Sequence, residues 1–376
     1  MAWNNARSGN DTILIMANHN GKTRGKRKGQ QPTIVDIAAS AGVAPMTVSR
    51  VINESGYVSQ VMREKVTRAI KELNYHPNGL ARSLKRQRTH VVGILLPDIA
   101  NPFAAELARG IQERLLDCGY SSFISTSERS IEREQAALRA LYDHRVDGIV
   151  IATRETKAGN ESLLRLTERG LPMVVVGRTL NHTTVDRVTA DHWKGGYDAV
   201  EHLISLGHQR IGFIGATLVN GSGLRRFQGY LDALRENGLP IHEELIVGPD
   251  TGATPSYSTQ ADGYEGMKRL LAVSKPPSAV FARNDFTAIG AMCAARDAGL
   301  SIPEDVAMVG FDNVPLAAYT APPLTTVDQP TAEQGRQAAQ LLLERIEGER
   351  EQARREVCLD CHLIIRQSTD KAAVRA

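Results

Sequence analysis

Thr33-Ile-Val-Asp36-Ile-Ala-Ala-Ser-Ala-Gly42-Val-Ala-Pro45-Met-Thr-Val-Ser-Arg50-Val-Ile-Asn53 decides how the first part of this chain folds. Thr33 and Asp36 have the spacing of a capping box, in which hydroxyl and carboxylate satisfy orphan N–H groups at a helix start. The helix that follows must stop at Gly42, the residue best able to take up a left-handed turn. Pro45 then suits the first position of a second helix, where its missing N–H costs nothing. Ala44 before it offers no side-chain acceptor, a loss of about 1 kcal/mol relative to Ser. Ala38, Gly42 and Val48 give a small–turn–apolar spacing that lets two helices cross closely. On the second helix Val48 and Val51 face inward, leaving Pro45, Met46, Ser49 and Arg50 outside. Arg50 could donate two hydrogen bonds to guanine, contact a phosphate or simply be solvated. A third helix, Gln60–Leu73, is expected after the cap Ser59, with Val61, Val66, Ala69, Ile70 and Leu73 closing a three-helix core.

Around this stretch the charge is uneven. Residues 1–90 carry 15 Lys/Arg against 5 Asp/Glu, and the remaining 286 carry 30 against 37. A basic head on an acidic body suits a polyanion-binding module joined to something else, although a charge run alone more often marks a solubilising tail. Residues 1–31 read as a disordered basic extension, with Met16 an alternative start. Residues 32–77 form the helical head and 78–90 a basic connector.

From Val91 the pattern changes. Apolar strand-length runs (Val91–Leu96, Ser122–Ser125, Val146–Ala152, Met173–Gly177) alternate with amphipathic helices (Phe103–Asp117, Ile131–Asp143, Glu161–Arg169). The cycle restarts after Asp191 with a helix to Ser205, strand Arg210–Gly215 and helix Arg225–Asn237. Strands Ala279–Ala282 and Val306–Val309 then flank helix Phe286–Ala298. Buried strands alternating with helices imply doubly wound parallel sheets, and the restart implies two of them. Ligands of such folds bind at the carboxyl ends of the strands, here in the cleft between the two units.

Three stretches of the head, Asp36-Ile-Ala-Ala-Ser-Ala-Gly-Val43, Thr47-Val-Ser-Arg-Val-Ile-Asn53 and Leu73-Asn-Tyr-His-Pro-Asn78, resemble the start of a LacI-family regulator. The resemblance continues through Asn101-Pro-Phe103, Val146-Asp-Gly148, His202-Leu-Ile-Ser-Leu-Gly-His208, Asn284-Asp285, Gly310-Phe-Asp-Asn313 and Pro323-Leu-Thr-Thr326, spanning roughly residues 32–368. It implies an all-α helix-turn-helix domain plus a hinge helix, then an α/β core similar to a periplasmic sugar-binding protein. The core subdomains would be 91–189 plus 329–358 and 190–328 plus 359–376. It also implies DNA contacts at Thr33, Pro45, Met46, Thr47, Ser49, Arg50 and Asn53. Hinge contacts would come from Asn78, Ala81, Arg82 and Leu84, with Leu84 wedged into the minor groove. Gly79, where a larger residue is usual, weakens the hinge helix by up to ~1 kcal/mol.

For the effector, the resemblance implies Phe103 stacking on a sugar face, Arg226 and Asp312 holding hydroxyls, and amide contacts from Asn284 and Gln329. Asn101, Arg178 and Ser222 are weaker transfers. Each has a structural alternative: Asp312 could cap a turn, Asn284 could cap the next helix, Arg226 could pair with a carboxylate. Arg178 with Arg226 would favour an acidic or phosphorylated sugar, and Met46 before Thr47-Val-Ser-Arg50 is similar to heads of gluconate-type regulators. The function implied is a sugar-gated repressor, cytoplasmic, binding a pseudo-palindromic operator as a homodimer, with no cofactor and no membrane partner.

Other signals are set aside. Cys358-Leu-Asp-Cys361-His362 matches a c-type haem attachment pattern, but the segment reads as one strand, Glu356–Ile365, whose alternation turns the two thiols apart. Four cysteines make no disulfide framework in 376 residues. There is no dinucleotide fingerprint, P-loop or G-x-S-x-G, so no nucleophile–base pair or phosphate cradle marks an enzyme. His202 and His208 read as packing residues. No apolar run approaches membrane length, and no leucine heptads follow Arg366, which favours a dimer over a coiled-coil tetramer.

Overall fold

The computed structural model describes residues 32–53, 55–75, 88–128, 130–153, 157–178, 180, 185–215, 221–248, 259–348 and 353–370. The chain divides into two compact units between Arg82 and Ser83. The expected N-terminal extension and hinge helix lie outside the described residues.

In the first unit α1 (Ile34–Ala41), α2 (Pro45–Ile52) and α3 (Gln60–Glu72) enclose a small core. The Thr33–Asp36 capping box is formed: Asp36 N donates to Thr33 Oγ1 at 3.3 Å and Thr33 N to Asp36 Oδ2 at 2.8 Å. Gly42 takes φ 64°, and the α1 and α2 axes turn through 106°. Ile37, Ala38, Val48, Val51, Val66, Ala69 and Tyr75 pack together. Val61 departs from expectation and is 64 % exposed. At 3.6 residues per turn it lies about 140° round the helix from Val66, and Tyr75 fills the core beyond the helix end instead.

The second unit contains two six-stranded sheets. The first has the order β11-β5-β4-β3-β1-β2, built from β1 (Val91–Leu96), β2 (Ser121–Thr126), β3 (Gly148–Ile151), β4 (Met173–Val176), β5 (Asp186–Ala190) and β11 (Glu356–Leu359). The second has the order β12-β10-β9-β8-β6-β7, from β6 (Ile211–Ile214), β7 (Ile246–Val247), β8 (Ala279–Ala282), β9 (Ala307–Phe311), β10 (Thr325–Asp328) and β12 (His362–Ile364). Every pairing is parallel except β10–β12. The helices are α4 (Pro102–Asp117), α5 (Ile131–Asp143), α6 (Lys157–Glu168), α7 (His192–Ser205), α8 (Ser222–Glu236), α9 (Gln260–Leu271), α10 (Asp285–Asp297) and α11 (Thr331–Glu347). β5, β7, β10, α9 and α11 are additional to the elements expected from sequence.

The chain passes between the sheets after Ala190, after Asp328 and after Leu359. The expected single strand Glu356–Ile365 is therefore two strands, one in each sheet, parted at Asp360-Cys361. α11 returns to the first sheet and lies against α4 so closely that a Cβ on Gly110 would fall 2.0 Å from the Ala332 carbonyl oxygen. Asp186, fully buried at the start of β5, anchors this return. Its carboxylate accepts from Arg345 Nη2 at 2.6 Å, from Arg355 Nη2 at 2.8 Å and from Arg355 N at 2.8 Å. Arg345 and Arg355 hold its carboxyl below the usual range against the cost of burial. At the same, C-terminal end of α11, Arg88 Nη2 donates to the Ile346 carbonyl at 2.8 Å, and Thr89 N and His90 N each donate to Asp147 at 2.8 Å.

Candidate functional site

Two surfaces carry the chemistry. On the head, burial of Val48 and Val51 turns the other side of α2 to solvent. Pro45, Met46 and Arg50 are exposed, while Thr47 and Ser49 are half-buried. Asn53 closes the helix, its amide donating to Ser49 O at 2.8 Å and Ser49 Oγ at 3.2 Å. The Thr33 hydroxyl is engaged in its capping box, donating to Asp36 Oδ2 at 2.8 Å. Thr33 thus opens α1 and Asn53 closes α2, and Arg50 is the exposed planar donor on α2. Tyr57, 89 % exposed between α2 and α3, was not anticipated; its phenol in an otherwise polar loop was the available signal. Asn78, Ala81, Arg82 and Leu84 lie outside the described residues.

In the core, β9 ends in a turn where Asp312 has φ 109° and Asn313 φ 51°. Consecutive left-handed non-glycine residues store strain that neighbours must hold. Asp285, at the start of α10, does so. Its Oδ2 accepts Val314 N at 2.8 Å and its Oδ1 accepts the Thr326 hydroxyl at 2.5 Å. Burial beside Asp312 pushes the Asp285 carboxyl up to about 8. Arg366 adds a bond from Nη2 to Asn313 Oδ1 at 2.8 Å.

The turn presents Asp312 to Arg226 and Gln329. Arg226 Nη2 lies 3.1 Å from Asp312 Oδ1, Arg226 Nη1 donates to the Arg283 carbonyl at 2.8 Å, and the guanidinium stacks 3.6 Å over the Phe311 ring. Gln329 Nε2 donates to Asp312 Oδ1 at 2.5 Å. Burial lifts the Asp312 carboxyl, while Arg226 and Gln329 pull it back down. Arg226 Nη2 also reaches His192 Nδ1 at 3.4 Å. Burial and the neighbouring arginines hold His192 well below its ordinary value, so the neutral ring accepts from Arg226.

Asp312–Arg226–His192 is thus a continuous row between two cavities. One, of about 320 Å³, is lined by Phe103, Glu106, Asp312, Asp328 and Gln329. The other, of about 530 Å³, is lined by Arg187, Asp191, His192, Trp193, Ser222 and Arg225. Both sizes fall at or within the range of small-molecule sites.

Three expected residues have other employment. Asn284 caps α10, accepting from Thr287 N at 2.9 Å. Asn101 caps α4, accepting from Phe103 N at 3.1 Å. Arg178, with a fully buried side chain, turns into its own subdomain and binds Asn160, Glu134 and Thr153 at 2.9, 3.2 and 2.8 Å. The expectation that Arg178 and Arg226 jointly hold an anion is corrected accordingly, because Glu134 neutralises the first and Asp312 the second. Among the described residues no cluster could hold a metal, and all four cysteines are free. Burial raises the Cys361 thiol to about 12 and raises that of Cys358 as well, which leaves neither a reactive thiolate. No single helix among the described residues is long and apolar enough to cross a membrane.

Residues 33–78 match the model of bacterial regulatory proteins of the lacI family, and residues 200–369 match the periplasmic binding protein-like domain. The repressor PurR of Mannheimia succiniciproducens is 35 % identical over 341 residues, covering 91 % of this chain and 99 % of that protein. The chain belongs to the LacI family. Among solved LacI-family structures, the lac repressor dimer bound to operator and the anti-inducer ONPF superposes with TM-score 0.79 at 27 % identity, covering 90 % of this chain and 99 % of that one. A complex of the regulator CelR with cellobiose superposes with TM-score 0.67 at 35 % identity, with the same coverage. As a LacI-family member this protein is a DNA-binding transcriptional repressor with a periplasmic-binding-protein-like effector domain, and not an enzyme.

Proposed function

We propose that this repressor binds a pseudo-palindromic operator as a homodimer and is gated by a sugar or sugar derivative at the Asp312–Arg226 row. The observation that carries the DNA reading is α2, held at 106° to α1 with Arg50 on its solvent side, as major-groove reading requires. Work on DNA supports a cytoplasmic location. Exposed apolar side chains support a dimer through the core: Leu116 (69 %) with Phe123 and Ile124 on one sheet's flank, and Leu316 with Tyr319 (83 %) on the other. Light scattering of the full chain is expected to give a dimer. The relatives bear the name PurR while a solved homologue holds cellobiose, so the effector class is read from this chain's own residues. Phe103 offers an apolar face, and Asp312 and Gln329 offer acceptor and donor groups, the set a polyol needs.

Selection of sites from random duplex DNA at two salt concentrations tests the reading. Enrichment of a palindrome with fixed half-site spacing is expected. Weak, sequence-blind binding lost at the higher salt would leave only phosphate contacts and overturn it.

A further inference from the structure

The larger cavity is lined by two arginines, Arg187 and Arg225, and by two carboxylates, Asp191 and Glu356. It adjoins the start of α8, a helix of 15 residues whose N-cap is Gly221 with no side-chain cap bond, so the positive end of the helix dipole lies at the cavity. Arginines converge there. Arg187 and Arg225 line the cavity. The Arg283 guanidinium lies over the first turn, where a Cβ on Gly223 would come within 2.7 Å of it. Arg226 sits one turn in. All four lie near enough to the buried His192 ring to disfavour its protonation. The carboxylates nearby are already employed. Asp312 holds Arg226, Glu356 is shared between Arg187 at 2.5 Å and Arg354 at 3.3 Å, and Asp191 caps α7 by accepting from Lys194 N. Arg225 makes no ion pair among the described residues. Among the described residues four guanidinium nitrogens are buried without a partner, and two of them, Arg187 Nε and Arg226 Nε, belong to this cluster. The Arg226 side chain is 7 % exposed, and a buried donor left in that state is costly unless something fills the site.

We infer that the effector is anionic: a small polyol bearing a phosphate or carboxylate, whose charged group sits at the α8 N-terminus between Arg187, Arg225 and Arg283 while its hydroxyls reach the Asp312–Arg226 row. This rests on the proposed gating of the repressor through that row. It assigns roles to Arg187, Arg225 and Arg283, and leaves Arg178 as an internal strut.

The test uses the full chain and four probes at constant ionic strength: inorganic phosphate, glucose 6-phosphate, gluconate and glucose. Calorimetry and thermal melting are read for wild type, for R225Q and for the double variant R187Q/R225Q. Inorganic phosphate is expected to bind and raise the melting temperature. R225Q, at an exposed position, preserves the fold and weakens binding about tenfold, as befits loss of one charge-assisted bond; the double variant abolishes it. Glucose 6-phosphate or gluconate binds more tightly than phosphate, and which of the two wins names the anionic group. The inference is overturned if phosphate does not bind. It is equally overturned if phosphate binding survives in the double variant, which would put the anion on the basic head, or if glucose binds as well as its charged derivatives. Operator selection with wild-type protein in anion-free buffer reports on the repressor reading separately, so failure of one is distinguishable from failure of the other.

Discussion

The head and the core spend their polar residues in opposite ways. On α2, Met46 is 64 % exposed and Arg50 stands on the surface, so the groups proposed to meet DNA cost the fold almost nothing. In the core the charges that matter are buried and paired: Asp186 with Arg345 and Arg355, Asp312 with Arg226. A buried ion is tolerated only with its partner. Reading DNA and holding the fold are therefore separable in the head, whereas in the core the atoms proposed to meet the effector also hold the fold.

The largest effect should come from Asp186→Ala, which takes the buried carboxylate away from Arg345 and leaves Arg355 with Glu344. A loss of about 3–5 kcal/mol is expected, measured by urea unfolding of the core; a loss under about 1 kcal/mol would break the contrast. Arg50→Ala should do the reverse, costing about 1–3 kcal/mol of operator discrimination at one base position with the melting temperature unmoved. A comparable fall in stability would show that the head is no less committed than the core.

Asp285 sharpens the comparison through pH. Its carboxyl, near 8 in the folded chain, is protonated across the weakly acidic range where the unfolded chain, with an ordinary carboxyl near 4, has lost its proton. The resulting stabilisation is fully present below the unfolded value and is lost as pH rises through about 8. Asp285→Asn, which keeps the shape of the neutral acid, should flatten the fall in melting temperature between pH 5 and pH 9 (a range chosen as about one unit or more on either side of the transition). An unchanged slope would mean the carboxyl is ionised when folded. The smallest effect is Ala44→Ser, which supplies the missing cap of α2 and should stabilise the head by about 0.5–1 kcal/mol, seen in the thermal melt of the full chain.

The same contrast explains what the sequence made legible. Capping box, turn glycine and N1 proline are contiguous, so the geometry of α1 and α2 follows from neighbours within four residues. The apolar strands β1, β3, β4 and β8 declare themselves by composition. β5 does not: it opens on the charged pair Asp186-Arg187, and burial of Asp186 depends on Arg345 and Arg355, some 160 residues away. The break of Glu356–Ile365 was equally hidden, because alternation is the same whether five residues continue in one sheet or move to another. Of the residues expected at the effector site, Asp312, Arg226 and Gln329 stand together, whereas Asn284 caps α10 and Arg178 is an internal strut. Their side-chain directions are set by long-range partners that local pattern does not encode. Asp285 and His192 were overlooked because a lone acid and a lone imidazole carry no local sign of burial.

The three passages between the sheets bear on how the molecule is made. β11 and β12 are the last strands in the order of synthesis, and each completes a different sheet. A ribosome adding roughly 5–20 residues per second has the head's helices out and able to fold well before either sheet has its full set of strands. For that interval, a finished DNA-reading module is tethered to two sheets whose edges await β11 and β12. A nascent chain of this protein can meet DNA before it can sense its effector.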